Sequence, residues 1–313
     1  MSGTGPAIWR GPAAWVAVFA GGLLGTALLA PWLYAGLLAL DPQLRWPYGR
    51  VYNRLAMVVA VAILIAVRRE LGWRHLRRLL AEGAPGERWR AVATGFGVAT
   101  AGTVAGVAWA WAAGELVPAL TEYPFLSFGT LATVVGSFVT ALVEEGFFRG
   151  LMFPALALAL GAPAAALASS ALFSVLHALS AERAYVWEGL SAGAGFDYLG
   201  VLVAHQVHPA VLRPLFGLFL VGLALAFVVR CTGSLYLAIG LHAGWALTFQ
   251  LQRHAMWPAV PVPRGLPALA GRYFVLGQPW AWVVVAATAA AALLWWQRAR
   301  RGEGGREESG AAV

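Results

Sequence analysis

Two adjacent carboxylates, Glu144 and Glu145, with Arg149 four residues on, interrupt an apolar stretch running from about Leu126 to Leu160. A charged group near the centre of a membrane helix costs roughly 2.5 to 3.5 kcal/mol, so such a pair needs partners or a chemical task. On a helix Glu145 and Arg149 stand at i and i+4, where a carboxylate meets a guanidinium on one face. That geometry turns Glu144 away without a local partner. Two later apolar segments carry His177 and His242. A carboxylate and an imidazole sharing a site can activate a water, one taking its proton and the other orienting it or protonating a leaving group. A second imidazole can donate to the oxyanion of a tetrahedral intermediate. The alternatives are structural: a salt bridge that fixes helix packing, and histidines that hydrogen-bond between helices.

The elements that must position these groups follow from apolar segments and turn signals. Gly161-Ala162-Pro163 marks a turn, with Glu144 17 residues before Gly161 and His177 16 after it. At about 1.5 Å rise per residue the two lie at nearly the same depth, roughly 25 Å from the turn. Helices in contact stand about 8 to 10 Å apart, a gap that Glu and His side chains close. His242 lies about eight residues into a segment entering from the same side, so the three groups converge from three helices.

Of the 313 residues, 60% are hydrophobic and only 12% charged, against about 25% charged in an ordinary soluble domain. The expected fold is therefore all-α, a polytopic transmembrane helix bundle of about eight spans in a cell (inner) membrane. All 22 basic residues are arginine, and the formal charge is +8. They cluster at the ends of apolar segments, which argues for lipid headgroups and topology and against nucleic acid. The stretch 68–90 carries seven of them and is assigned to the cytoplasm, with an amphipathic helix from Glu70 to Leu80 at the interface. On this scheme 14 of the 22 arginines are cytoplasmic. The chain divides into N-terminal spans with a basic loop (1–125), a core carrying the three polar motifs (126–252), and a final loop, span and structureless tail (253–313). The connection from Ser180 to Pro209 reads as a polar-aromatic loop holding His205 and His208, and His75 and His254 read as interfacial. The single cysteine, Cys231, excludes an internal disulfide framework and a Cys-rich metal site.

Glu144-Glu145-x-x-x-Arg149, Phe173-x-x-x-His177, and His242 within Gly240-Leu241-His242-Ala243-Gly244-Trp245 resemble, over roughly Leu126 to Gln250, the motifs of the glutamic intramembrane proteases. These include the type II CAAX prenyl endopeptidases and their bacterial CPBP relatives. The resemblance implies that Glu144 and His177 activate the water and that His242 belongs to the oxyanion site. It makes Glu145, Arg149 and Phe173 supporting residues, and it implies no cofactor and no metal. In one position this chain departs from the pattern. The family usually has Asn or Asp four residues after the last histidine, and here that residue is Ala246. Either one side-chain donor serves, or His208, Gln206 or Gln250 substitutes, or activity is lost.

The expected activity is metal-free hydrolysis of a peptide bond in a membrane-associated protein or peptide, such as a C-terminal sorting signal of a surface protein. The expected partners are that substrate and the lipid bilayer. No serine or cysteine stands in a setting suited to a nucleophile; Ser174, one turn before His177, is the nearest. Two rivals use the same residues. Glu144, His177 and His242 form a conceivable zinc set, and a carboxylate-histidine cluster can relay protons in a transporter or a bacteriocin-immunity scaffold.

Overall fold

The computed structural model describes residues 12–67, 73–119, 127–178, 185–260 and 273–310. It is an all-α bundle. Its helices are α1 (Pro12–Leu40), α2 (Tyr48–Val67), α3 (Trp73–Ala81), α4 (Pro85–Ala112) and α5 (Phe128–Glu145), the last continuing through a π-helical turn (Gly146–Met152) into α6 (Phe153–Leu160). Then come α7 (Ala162–Ala178), α8 (Ala194–Gln206), α9 (Pro209–Thr232), α10 (Tyr236–Ala255) and α11 (Pro279–Gly310). Among the described residues, five segments are long and apolar enough to cross a membrane: 20–40, 85–112, 128–160, 209–232 and 279–301. Helices also occupy the other three segments expected to span, as α2, α7 and α10.

Two expectations are corrected. The connection 180–209 is not all loop: Ala194–Gln206 is helical, because Tyr198 and Leu202 bury against α1 and α2. Glu182 and Arg183 fall outside the described residues. The last helix runs to Gly310, through residues expected to be structureless. Once a long helix has formed, each added residue costs no new nucleation. In the basic stretch the helix spans Trp73–Ala81, and its start, 68–72, lies outside the described residues.

The helix that carries His242 is held by small residues. Gly240 and Gly244 of α10 lie against the α4 backbone, so that a Cβ at Gly240 would strike the Val92 carbonyl and one at Gly244 would stand 2.7 Å from the Phe96 carbonyl. Gly95 of α4 reciprocates against the backbone of Leu237 and Leu241. Lipid tails are as apolar as leucine, so the two helices gain by close van der Waals contact, which residues without a side chain permit. At their far ends, Leu116–Pro118 (β1) pairs antiparallel with Met256–Pro258 (β2), which fixes α4 and α10 side by side. Trp245 Nε1 donates to Thr288 Oγ1 at 3.1 Å and ties α10 to α11. The main core closes around this arrangement with Phe148, Phe173, Leu225, Leu241 and Trp245 all buried.

Candidate active site

The site forms where α5, α7 and α10 meet. Glu144 and Glu145 end α5, and the backbone then widens into the π turn, whose i→i+5 bonding is seen in Phe153 N–H donating to the Phe148 carbonyl. Pro154 supplies the reason. It has no N–H for the Gly150 carbonyl and its ring would crowd that group, a conflict that a wider turn relieves. This turn was not foreseen; Pro154, four residues after Gly150, was the signal available.

Glu144 Oε2 stands 3.4 Å from His177 Nε2 and 3.7 Å from His242 Nε2. Its side chain is 25% exposed and that of His177 18%, while Oε2 itself is buried. His177 Nδ1 is 2.8 Å from the Phe173 carbonyl, one turn back on α7. A carbonyl only accepts, so Nδ1 carries a proton, and when the ring is neutral Nε2 turns a lone pair toward Glu144. The Phe173 ring packs against both imidazoles, its centroid 4.2 Å from that of His177 and 5.9 Å from that of His242. Tyr273, outside the three motifs, sets its ring edge-on to His177 at 6.2 Å.

Glu145 does more than the i, i+4 pairing implies. Its Oε1 accepts from Arg149 Nη1 at 3.0 Å and from His242 Nδ1 at 2.8 Å. Glu145 is fully buried, and Arg149 is 1% exposed. The guanidinium also donates through Nη2 to the Gly222 carbonyl of α9 at 2.7 Å and lies over the Phe173 ring at 4.9 Å. A buried charge is tolerable only when paired and hydrogen-bonded, and this one has a carboxylate, a carbonyl and an aromatic face. With Nδ1 held by Glu145, His242 presents Nε2 to Glu144. All six residues singled out, Glu144, Glu145, Arg149, Phe173, His177 and His242, are thus brought together.

The candidates to replace the missing oxyanion donor lie elsewhere. His208 caps α9, its Nδ1 accepting from Ala210 N–H at 3.2 Å. Gln250 Nε2 donates to Ser137 Oγ at 3.3 Å, eight residues along α10 from His242. Gln206 is on α8, its amide buried without a partner among the described residues. Ser174 Oγ donates to the Leu215 carbonyl at 2.6 Å, and Cys231 is exposed at the end of α9. Neither is next to a base. Among the described residues no group of three or more His, Cys, Asp or Glu is arranged to hold a metal ion.

Residues 125–248 match the family model Rce1-like, described as type II CAAX prenyl endopeptidase Rce1-like. That segment contains Glu144, Glu145, Arg149, Phe173, His177 and His242. No curated protein and no solved structure matches the chain.

Proposed function

Because residues 125–248 of this membrane protein belong to the CAAX-protease family, we propose that the chain hydrolyses a peptide bond within or beside the bilayer through a water activated by Glu144 and His177. The observation that carries this reading is the 3.4 Å approach of Glu144 Oε2 to His177 Nε2. Both atoms are acceptors when the carboxylate is ionised and the imidazole neutral, so a water seated beside the pair donates one hydrogen to each. Its lone pair then faces the substrate carbonyl carbon. On attack the C–O bond forms and the water proton passes to Glu144. The oxyanion takes a hydrogen bond from His242 Nε2–H. The C–N bond then breaks as Glu144 returns the proton to the leaving amine. Acid and amine leave, and no covalent enzyme intermediate forms.

Glu145 and Arg149 support His242. Its Nδ1 proton is committed to Glu145, so donation from Nε2 requires the imidazolium, whose charge the Glu145 carboxylate balances. Arg149 in turn pairs with Glu145 and fixes its position. The glutamic subclass and an inner-membrane location belong to this reading. So does a substrate that is a membrane-associated protein or peptide, such as a C-terminal sorting signal.

The test compares terminal peptides of membrane and surface proteins in host cells carrying the wild type, Glu144→Gln or a deletion of the gene. The expected result is one set of uncut proteins shared by Glu144→Gln and the deletion. If Glu144→Gln processes every protein that the deletion leaves uncut, the hydrolytic role of Glu144 is lost.

A further inference from the structure

The basic helix α3 turns Leu76 and Leu79 into the protein core. Leu76 and Leu79 are buried in the main core with Phe148, Leu151 and Met152 of the π turn, and Leu76 packs so closely on Gly150 that a Cβ there would meet the end of its side chain. The opposite face carries Arg77 and Arg78, both exposed. The C-terminal end of α3 is tied down twice. Tyr236 at the start of α10 donates to the Leu80 carbonyl at 2.8 Å, and Arg88 donates to the carbonyls of Ala81, Glu82 and Gly83 while lying over the Tyr236 ring. Arg300 of α11 reaches Glu82 at 3.4 Å, which brings exposed Arg298 and Arg301 to the same side. Trp296, under Arg300, and exposed Trp89 stand at this end as well. Tryptophans at the ends of membrane helices sit at headgroup level.

We propose that this face is a docking surface for anionic lipid headgroups, and that lipid bound there braces the active site through α3. Arg77, Arg78, Arg298 and Arg301 offer positive charge to phosphates at the end that the arginine bias assigns to the cytoplasm. A headgroup engaged by Arg77 and Arg78 presses α3 onto the π turn through Leu76 and Leu79. Gly150 is the residue after Arg149, so holding that turn holds the guanidinium that fixes Glu145. Because Leu76 and Leu79 are already buried in protein, the attraction that Arg77 and Arg78 add is electrostatic, and salt weakens it.

Amide hydrogen exchange over 146–152, read on the full chain in vesicles, tests this without any substrate and independently of proteolysis. The vesicles are phosphatidylcholine alone or phosphatidylcholine with phosphatidylglycerol. Phosphatidylglycerol is expected to slow exchange in the π turn, and high salt to reverse the effect. Arg77→Gln/Arg78→Gln, which alters exposed side chains only, weakens the lipid response roughly 25-fold, at about a fivefold loss per arginine. Leu76→Ala keeps headgroup binding, measured by brominated-lipid quenching, but loses the protection. Soluble glycerophosphate gives no protection. Equal exchange in the two vesicle types, an undiminished response in Arg77→Gln/Arg78→Gln, or full protection by glycerophosphate overturns the proposal.

Discussion

Glu145 Oε1 accepts the Nδ1 proton of His242 at 2.8 Å while also holding Arg149, so one buried oxygen joins the motif on α5 to the motif on α10. The two adjacent glutamates therefore face different partners. Glu144, with a partly exposed side chain, meets the Nε2 atoms of both histidines, and Glu145 stands behind His242 with no exposure.

Glu145→Gln separates stability from catalysis. Removing one partner of a buried ion pair costs about 3 to 5 kcal/mol, because Arg149 keeps its charge. Thermal unfolding in detergent should show that loss, and Glu145→Gln/Arg149→Met should recover part of it. Cleavage should stay low in both variants, since His242 Nδ1 has no carboxylate in either. Full activity in the double variant would mean that Glu145 serves only Arg149.

Glu144→Gln should do the reverse. The side chain is 25% exposed and, among the described residues, it approaches His177 and His242 across the site, so the unfolding temperature should stay within error of the wild type. The cleavage rate should fall by about 10² to 10⁴, the usual contribution of a general base. A comparable fall is expected for His177→Gln.

Ala246→Asn tests the departure from the family pattern. Ala246 follows His242 by one turn of α10 and is half-buried. Loss of one oxyanion donor lowers rates by about 10² to 10³, so a restored amide should raise kcat by up to that factor with little change in KM. An unchanged kcat would mean that the oxyanion is served by His242 alone.

Gly240→Ala and Gly244→Ala should each destabilise the fold by about 1 to 3 kcal/mol, the usual cost of overpacking. The added methyl meets backbone of α4, which cannot swing aside. Gly136→Ala is the control: a Cβ there meets nothing within 4 Å, and alanine is favoured over glycine in a helix by roughly 0.5 to 1 kcal/mol. Equal unfolding temperatures for all three would refute close packing of α4 on α10.

Much of the site was legible before any coordinates. Carboxylates and imidazoles in apolar segments are conspicuous because each is costly there, and the turn at Gly161 puts Glu144 and His177 at one depth by helix rise alone. Arg149 was legible as a partner of Glu145 because i, i+4 pairing is local. Two relationships depended on the tertiary structure. Glu145 and His242 are 97 residues apart, and no spacing rule says which of two neighbouring carboxylates a distant imidazole meets. That choice rests on how closely α10 approaches, which the backbone contacts of Gly240 and Gly244 set. The π turn is a local answer to Pro154, but its seat for α3 exists only once Leu76 packs on Gly150. Helix-forming segments can be read from composition because apolar burial and backbone hydrogen bonding are short-range demands; the contacts between them cannot, because they are decided by which surfaces fit.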